Sequence, residues 1–175
     1  MSKIAVLCND GVEEIECLTV VDFCRRAGIE VITVSVTGKR QIMGAHQIVF
    51  HADEVYADMN FDEFDGIVYP GGPGTGAMGE KPGVKELAQK FLNNGKMLAA
   101  ICAAPSVFGD LGILNGKEAV CYPGFEERLT GATIGEGTVA VTDHVITSRG
   151  MGTAIPFAFE IVRYFTDDET VEHVR

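Results

Sequence analysis

The apolar run Met97-Leu98-Ala99-Ala100-Ile101 stops at Cys102, and two alanines then lead to Pro105 and Ser106. That order predicts a buried strand, a sharp turn and a helix opened by proline, whose missing N–H costs nothing in a first helical turn. Cys102 would stand at the turn, over the end of a sheet and facing the positive end of a helix dipole, which favours thiolate over thiol. Small residues on both sides suit the tight reversal of a nucleophile elbow. The stretch also fits a buried cysteine that packs as a small hydrophobe.

Two further groups could act with such a sulfur. Glu13, Glu14 and Glu16 open a predicted helix, where the dipole favours carboxylates without any further role. Glu16, one position past Ile15, is expected to turn partly toward the sheet. A carboxyl held there beside Cys102 would be desolvated and its pKa raised, and it could hydrogen-bond the sulfur or move a substrate proton. The second group is the glycine run from Pro70 to Gly79, which contains a formal G-x-G-x-x-G at Gly74, Gly76 and Gly79. Nucleotide binding is not expected from it. Pro82-Gly83 breaks the helix that motif should open, and Cys102 stands where an acidic residue would hold a ribose. Gly71 and Gly72 are better suited to aim backbone N–H groups at an oxyanion, although a plain glycine turn explains them too.

These residues need a scaffold, and the hydrophobic pattern supplies one. A strand over 3–8, a helix over 13–27 with Ile15, Leu18, Val21 and Cys24 on its apolar face, and a strand over 30–36 make a βαβ unit. A small hairpin is expected within 37–58. A strand over 65–69, a helix over 84–94, the strand before Cys102 and a helix over 105–111 follow. A short strand over 118–121, a helical turn over 125–129, a hairpin about Asp143-His144, a helix over 153–165 and a short acidic surface helix complete the chain. The alternation predicts one α/β domain over residues 1–175, a three-layer sandwich on a mostly parallel sheet, with ligand chemistry outside the carboxyl ends of its strands.

Composition narrows the partners. A net charge of −11 opposes nucleic-acid binding, which depends on Lys and Arg neutralising phosphates. No segment approaches the roughly 20 apolar residues of a membrane span, and the start runs straight into a strand, so a cytoplasmic protein is expected. Five cysteines without a CxxC pair point to reduced thiols, and His46 and His51 lie on an extended segment, so no metal site is expected. Small molecules or proteins remain as partners.

Four motifs, in order, carry a resemblance over nearly the whole chain: Gly11-Val12-Glu13-Glu14-Ile15-Glu16, Tyr69-Pro70-Gly71-Gly72, Ala99 to Pro105, and Thr147-Ser148-Arg149-Gly150-Met151-Gly152-Thr153. Together they resemble the ThiJ/PfpI superfamily, in the branch of the Parkinsonism-associated deglycase. The resemblance implies a flavodoxin-like sandwich, a homodimer, and Cys102 as an oxidation-sensitive nucleophile hydrogen-bonded to Glu16. It also implies an anion pocket shaped by Gly71, Gly72 and the backbone of Ala103. The activities it implies are cofactor-free conversion of methylglyoxal or glyoxal to hydroxy acids and removal of early glycation adducts from proteins or nucleotides. An alternative is a stress sensor or chaperone whose cysteine is oxidised to sulfinate with little turnover. The chain departs from the pattern at several positions. Ala103 replaces the histidine that follows the nucleophile in protease-like members, so proteolysis is not expected. Tyr122 stands where animal relatives have a histidine; a phenol does not replace an imidazole base, although it could still donate a hydrogen bond. Arg26 matches a basic residue near the subunit contact, and His46 stands where an arginine is usual.

Overall fold

The computed structural model describes residues 1–175. Lys3–Cys8 forms β1, an apolar strand buried along nearly its whole length, and Glu14–Arg26 forms helix α1. Strand β2 is Glu30–Ser35, and Gln41–Met43 (β3) pairs antiparallel with Val49–His51 (β4) in the expected small hairpin. Glu54–Val55 (β5) returns to the main sheet beside β2. Gly66–Tyr69 is β6, followed by helices α2 (Thr75–Gly79) and α3 (Val84–Asn93), then β7 (Met97–Ile101) and α4 (Pro105–Asp110). Glu118–Ala119 (β8) pairs with Thr133–Ile134 (β9) in a separate two-stranded sheet, and not with the main one. Val139–Thr142 (β10) and Val145–Ser148 (β11) form the second hairpin, before α5 (Ala154–Phe165) and α6 (Asp168–Val174).

The seven-stranded sheet has the order β10-β11-β7-β6-β1-β2-β5, parallel throughout except for β10. Its two faces are separated by the period of two along each strand. Ile4, Val6 and Cys8 join the core under α1 and α5, while Ala5 and Leu7 join the core under α3 and α4. The result is the flavodoxin-like α/β sandwich. The chain moves outward from β1 to β2 on one side and then returns to place β6 on the other. A crevice therefore opens at the carboxyl ends of β1 and β6, the switch point where open α/β sheets bind ligands.

Helix α1 corrects one expectation. Its inward face is Cys17, Val20, Val21 and Cys24, whereas Ile15 is 47% and Leu18 38% exposed. Contacts at i, i+3, i+4 and i+7 follow the 3.6-residue turn, and a strict three-residue interval drifts off that face. The drift leaves apolar side chains in the open and turns Glu14 and Glu16 inward. Helix α6 is likewise more than a surface appendage, since Val171 is fully buried.

Candidate active site

The loops after β1 and β6 are laced together by hydrogen bonds. Glu13 N–H donates to the Gly71 carbonyl at 3.0 Å, Gly74 N–H to the Gly11 carbonyl at 3.0 Å, and Asn9 Nδ2 to the Gly74 carbonyl at 2.9 Å. This approach requires glycine at Gly72, whose φ is +105° and where a Cβ would lie 2.5 Å from both Glu13 N and the Gly11 oxygen.

Cys102 follows β7 with φ of +66°, the left-handed region that costs energy for any residue with a Cβ. The surrounding backbone holds it there. Its N–H donates to the Ser148 carbonyl at 3.0 Å, at the end of β11, and its carbonyl accepts from Tyr122 N–H at 2.9 Å. Pro105 then opens α4 as its first residue, and Ser106 Oγ donates to the Ala103 carbonyl at 2.6 Å. The predicted elbow is present, with the half-buried sulfur at its tip.

Glu16 reaches this sulfur from α1. Its side chain is hydrogen-bonded to Cys102, its Oε2 accepts from Gly71 N–H at 2.9 Å, and the residue is 1% exposed. Burial pushes its carboxyl up to about 7, against the stabilising hydrogen bonds from Cys102 and Gly71. The thiol moves the other way from the expectation of a dipole-stabilised thiolate. Burial first, then the charge and hydrogen bond of Glu16, push Cys102 up to about 12, although the N–H groups of Gly72 and Ala103 oppose this. Helix α4 has only six residues, and its dipole does not offset a carboxylate in direct contact. Above about pH 7 the two groups therefore hold one proton between them, resting on sulfur beside a carboxylate that can accept it.

Other candidates fall in different places. Gly72 and Ala103 do aim N–H groups at the sulfur, but the Gly71 N–H is already engaged by Glu16 and does not face an oxyanion position. A cavity of about 730 Å³ opens above Cys102, and Glu13, His46, Tyr122 and Phe125 are among the residues that line it. Arg26 is not among them; it faces solvent and pairs with Asp22 at 2.7 Å. His46 Nδ1 lies 3.0 Å from Glu14 Oε2 and 3.5 Å from Glu13 Oε2, and these carboxylates hold its pKa above the ordinary value. Glu13, Glu14 and His46 are also the group whose ligand atoms, within 4.8 Å of one another, could meet on a metal ion. Glu14 has a sufficient role without one. Its Oε1 accepts from the backbone of His46 at 2.8 Å, fixing the hairpin loop against α1. Sequence reasoning missed this residue because a carboxylate in a first helical turn already has an explanation.

Fold and site together define a class: α/β sandwich proteins with a cysteine on a strained strand-to-helix turn, hydrogen-bonded to a buried carboxyl. More narrowly, the chain belongs to the DJ-1/PfpI family, whose model matches residues 2–164. Protein dj-1beta of Drosophila melanogaster is 36% identical over 99% of this chain and 95% of its own length. The glutathione-independent glyoxalase DJR-1.2 of Caenorhabditis elegans is 33% identical over 92% of this chain and 87% of its own. Among solved structures, oxidised DJ-1 of Toxoplasma gondii superposes with a TM-score of 0.95 at 30% identity, over 99% of this chain and 96% of the other. A Pyrococcus abyssi relative at 28% identity is named a deglycase, and a Bacillus subtilis relative at 32% carries a cysteine protease name. Enzymatic names thus recur among relatives without settling on one reaction. No helix is long and apolar enough to cross a membrane.

Proposed function

We propose that the protein is a cofactor-independent glyoxalase or deglycase acting on α-oxoaldehydes such as methylglyoxal and glyoxal, or on their early adducts with proteins or nucleotides. The observation that carries this reading is the buried Glu16 carboxyl, held by Gly71 N–H beside Cys102 on the strained elbow. As the sulfur attacks the aldehyde carbon, Glu16 takes the thiol proton, and the new alkoxide faces the N–H groups of Gly72 and Ala103. The alkoxide takes up that proton, leaving a neutral hemithioacetal and a Glu16 carboxylate. Glu16 then removes the former aldehyde C–H, and the enediol is reprotonated at the adjacent carbon to give a thioester. Water cleaves the thioester, releasing the hydroxy acid and restoring the thiol. Tyr122 and His46 line the cavity as accessory groups. Purified protein should form lactate from methylglyoxal, and Cys102→Ser should abolish it; a serine variant with the wild-type rate would rule the mechanism out.

The site also favours a second reading, as an oxidative-stress sensor. The N–H groups of Gly72 and Ala103, with Glu16, suit a sulfinate on Cys102 as well as they suit an alkoxide. A gain of two oxygens at Cys102 under mild peroxide, with no measurable turnover, would select the sensor.

The exposed Ile15 on α1 and Ile48 just before β4, apolar side chains brought together at the rim of the cavity, support a homodimer joined there. The contact would therefore border the site.

A further inference from the structure

Beneath the site lie two cysteines that the proposed reaction does not use. Cys8 ends β1, and Cys17 sits in α1 one residue past Glu16; both are fully buried. Their sulfurs are 3.6 Å apart, and Cys8 Sγ is also 3.6 Å from the Val6 carbonyl. A thiol has one proton, so when Cys8 donates to Val6 the hydrogen between the sulfurs belongs to Cys17. The pair is thus already oriented sulfur to sulfur, in an apolar core containing Val6, Val12, Val20 and Ile42.

We propose that Cys8 and Cys17 are a modification site, forming a reversible disulfide when the protein meets hydroperoxides. One thiol takes the terminal oxygen of the peroxide, breaking the O–O bond and giving a sulfenic acid and an alcohol, or water from hydrogen peroxide. The second sulfur attacks the sulfenic sulfur and expels water. Two S–H bonds and one O–O bond are lost, one S–S bond forms, and two electrons pass from the thiols to the peroxide. A disulfide has an S–S length of about 2.04 Å, so sulfurs already in contact need to approach by roughly 1.6 Å.

Charge favours this product over the alternatives. The hydrogen bond with Cys17, then burial, hold the Cys8 thiol well above its ordinary range. A persistent thiolate in this core is disfavoured. Thiol pair and disulfide are both neutral, so the exchange leaves no buried charge. The same burial makes the reaction wait for opening of the segment after β1, so it should run more slowly than oxidation of half-buried Cys102. Once formed, the bond would tether β1 to α1 across residues 9–16, the segment that carries Glu16.

Peptide mapping tests this independently of whether the protein turns over an aldehyde. Wild type and Cys102→Ser are exposed to hydrogen peroxide, quenched, alkylated in denaturant without reductant, and cut before Asp10, Asp22 and Asp53, which places Cys8, Cys17 and Cys24 on three peptides. The expected product joins the Cys8 and Cys17 peptides, about 2 Da lighter than their unalkylated sum, in both proteins, and dithiothreitol releases it. Cys17→Ser should lose it. Alkylated, unjoined Cys8 and Cys17 peptides after exposure prolonged about a hundredfold beyond full oxidation of wild-type Cys102 would overturn the proposal, and so would a bridge from Cys17 to Cys24.

Discussion

Replacing Glu16 with glutamine removes a charge from the core and should reveal its cost as a function of pH. The amide oxygen can still accept from Gly71 N–H, and the amide stays in reach of Cys102. In the wild type the folded-state pKa is raised from 4.5 to about 7. A raised acid binds its proton more tightly in the folded state, so its contribution to stability is complete below the unfolded value and is lost as pH rises through the folded one. At about 1.4 kcal/mol per tenfold, the whole loss is about 3 kcal/mol. Most of it, about 2.5 kcal/mol, falls between about pH 5 and pH 8, a range that begins just above the isoelectric point of 4.7. Urea unfolding of both proteins across that range under reducing conditions gives the difference directly, with the other titrating groups largely cancelling. Glu16→Gln should gain on the wild type by about 2.5 kcal/mol from the acid to the alkaline end. A difference that stays flat, or a gain toward acid, would refute the raised carboxyl and with it the shared proton.

Three other outcomes are expected. Activity on methylglyoxal, as kcat/KM, should rise with pH, reach half its plateau at about 7 and level off above about 8, because the carboxylate is the active base. Gly71→Ala would place a Cβ 2.5 Å from Cys102 Cβ and 2.7 Å from Glu16 Oε2, so it should cut the rate at least tenfold and cost about 1–3 kcal/mol in a urea melt. Ile15→Glu should convert a dimer to a monomer by light scattering while leaving the circular dichroism unchanged, since residue 15 faces away from the core.

Elements that follow local rules could be read directly from the chain. Cys102 was legible because an apolar strand, small neighbours and Pro105 each describe the same turn. Glu16 was legible as a candidate because its position on the helix differs from that of Ile15. What stayed hidden depends on atoms distant in sequence. The engagement of Gly71 N–H by Glu16 spans 55 residues, and the capture of His46 by Glu14 spans 32. The rise of the Cys102 pKa also escaped, since a dipole is visible in a helix signature whereas the burial that opposes it is not. Strand β8 reads as an ordinary short strand, and nothing local tells it to pair with β9 in a sheet of its own.

The Ser148 carbonyl that holds Cys102 N–H belongs to β11, near the end of the chain, while Glu16 lies near its beginning. During synthesis Cys102 is thus made before the strand that pins it. Until β11 docks against β7, residue 102 has no reason to adopt a left-handed backbone or to sit beside a carboxyl, and it behaves as an ordinary exposed thiol. The newly made chain should therefore be more open to alkylation at this cysteine than the finished protein, and its characteristic reactivity should appear only with the last parallel strand.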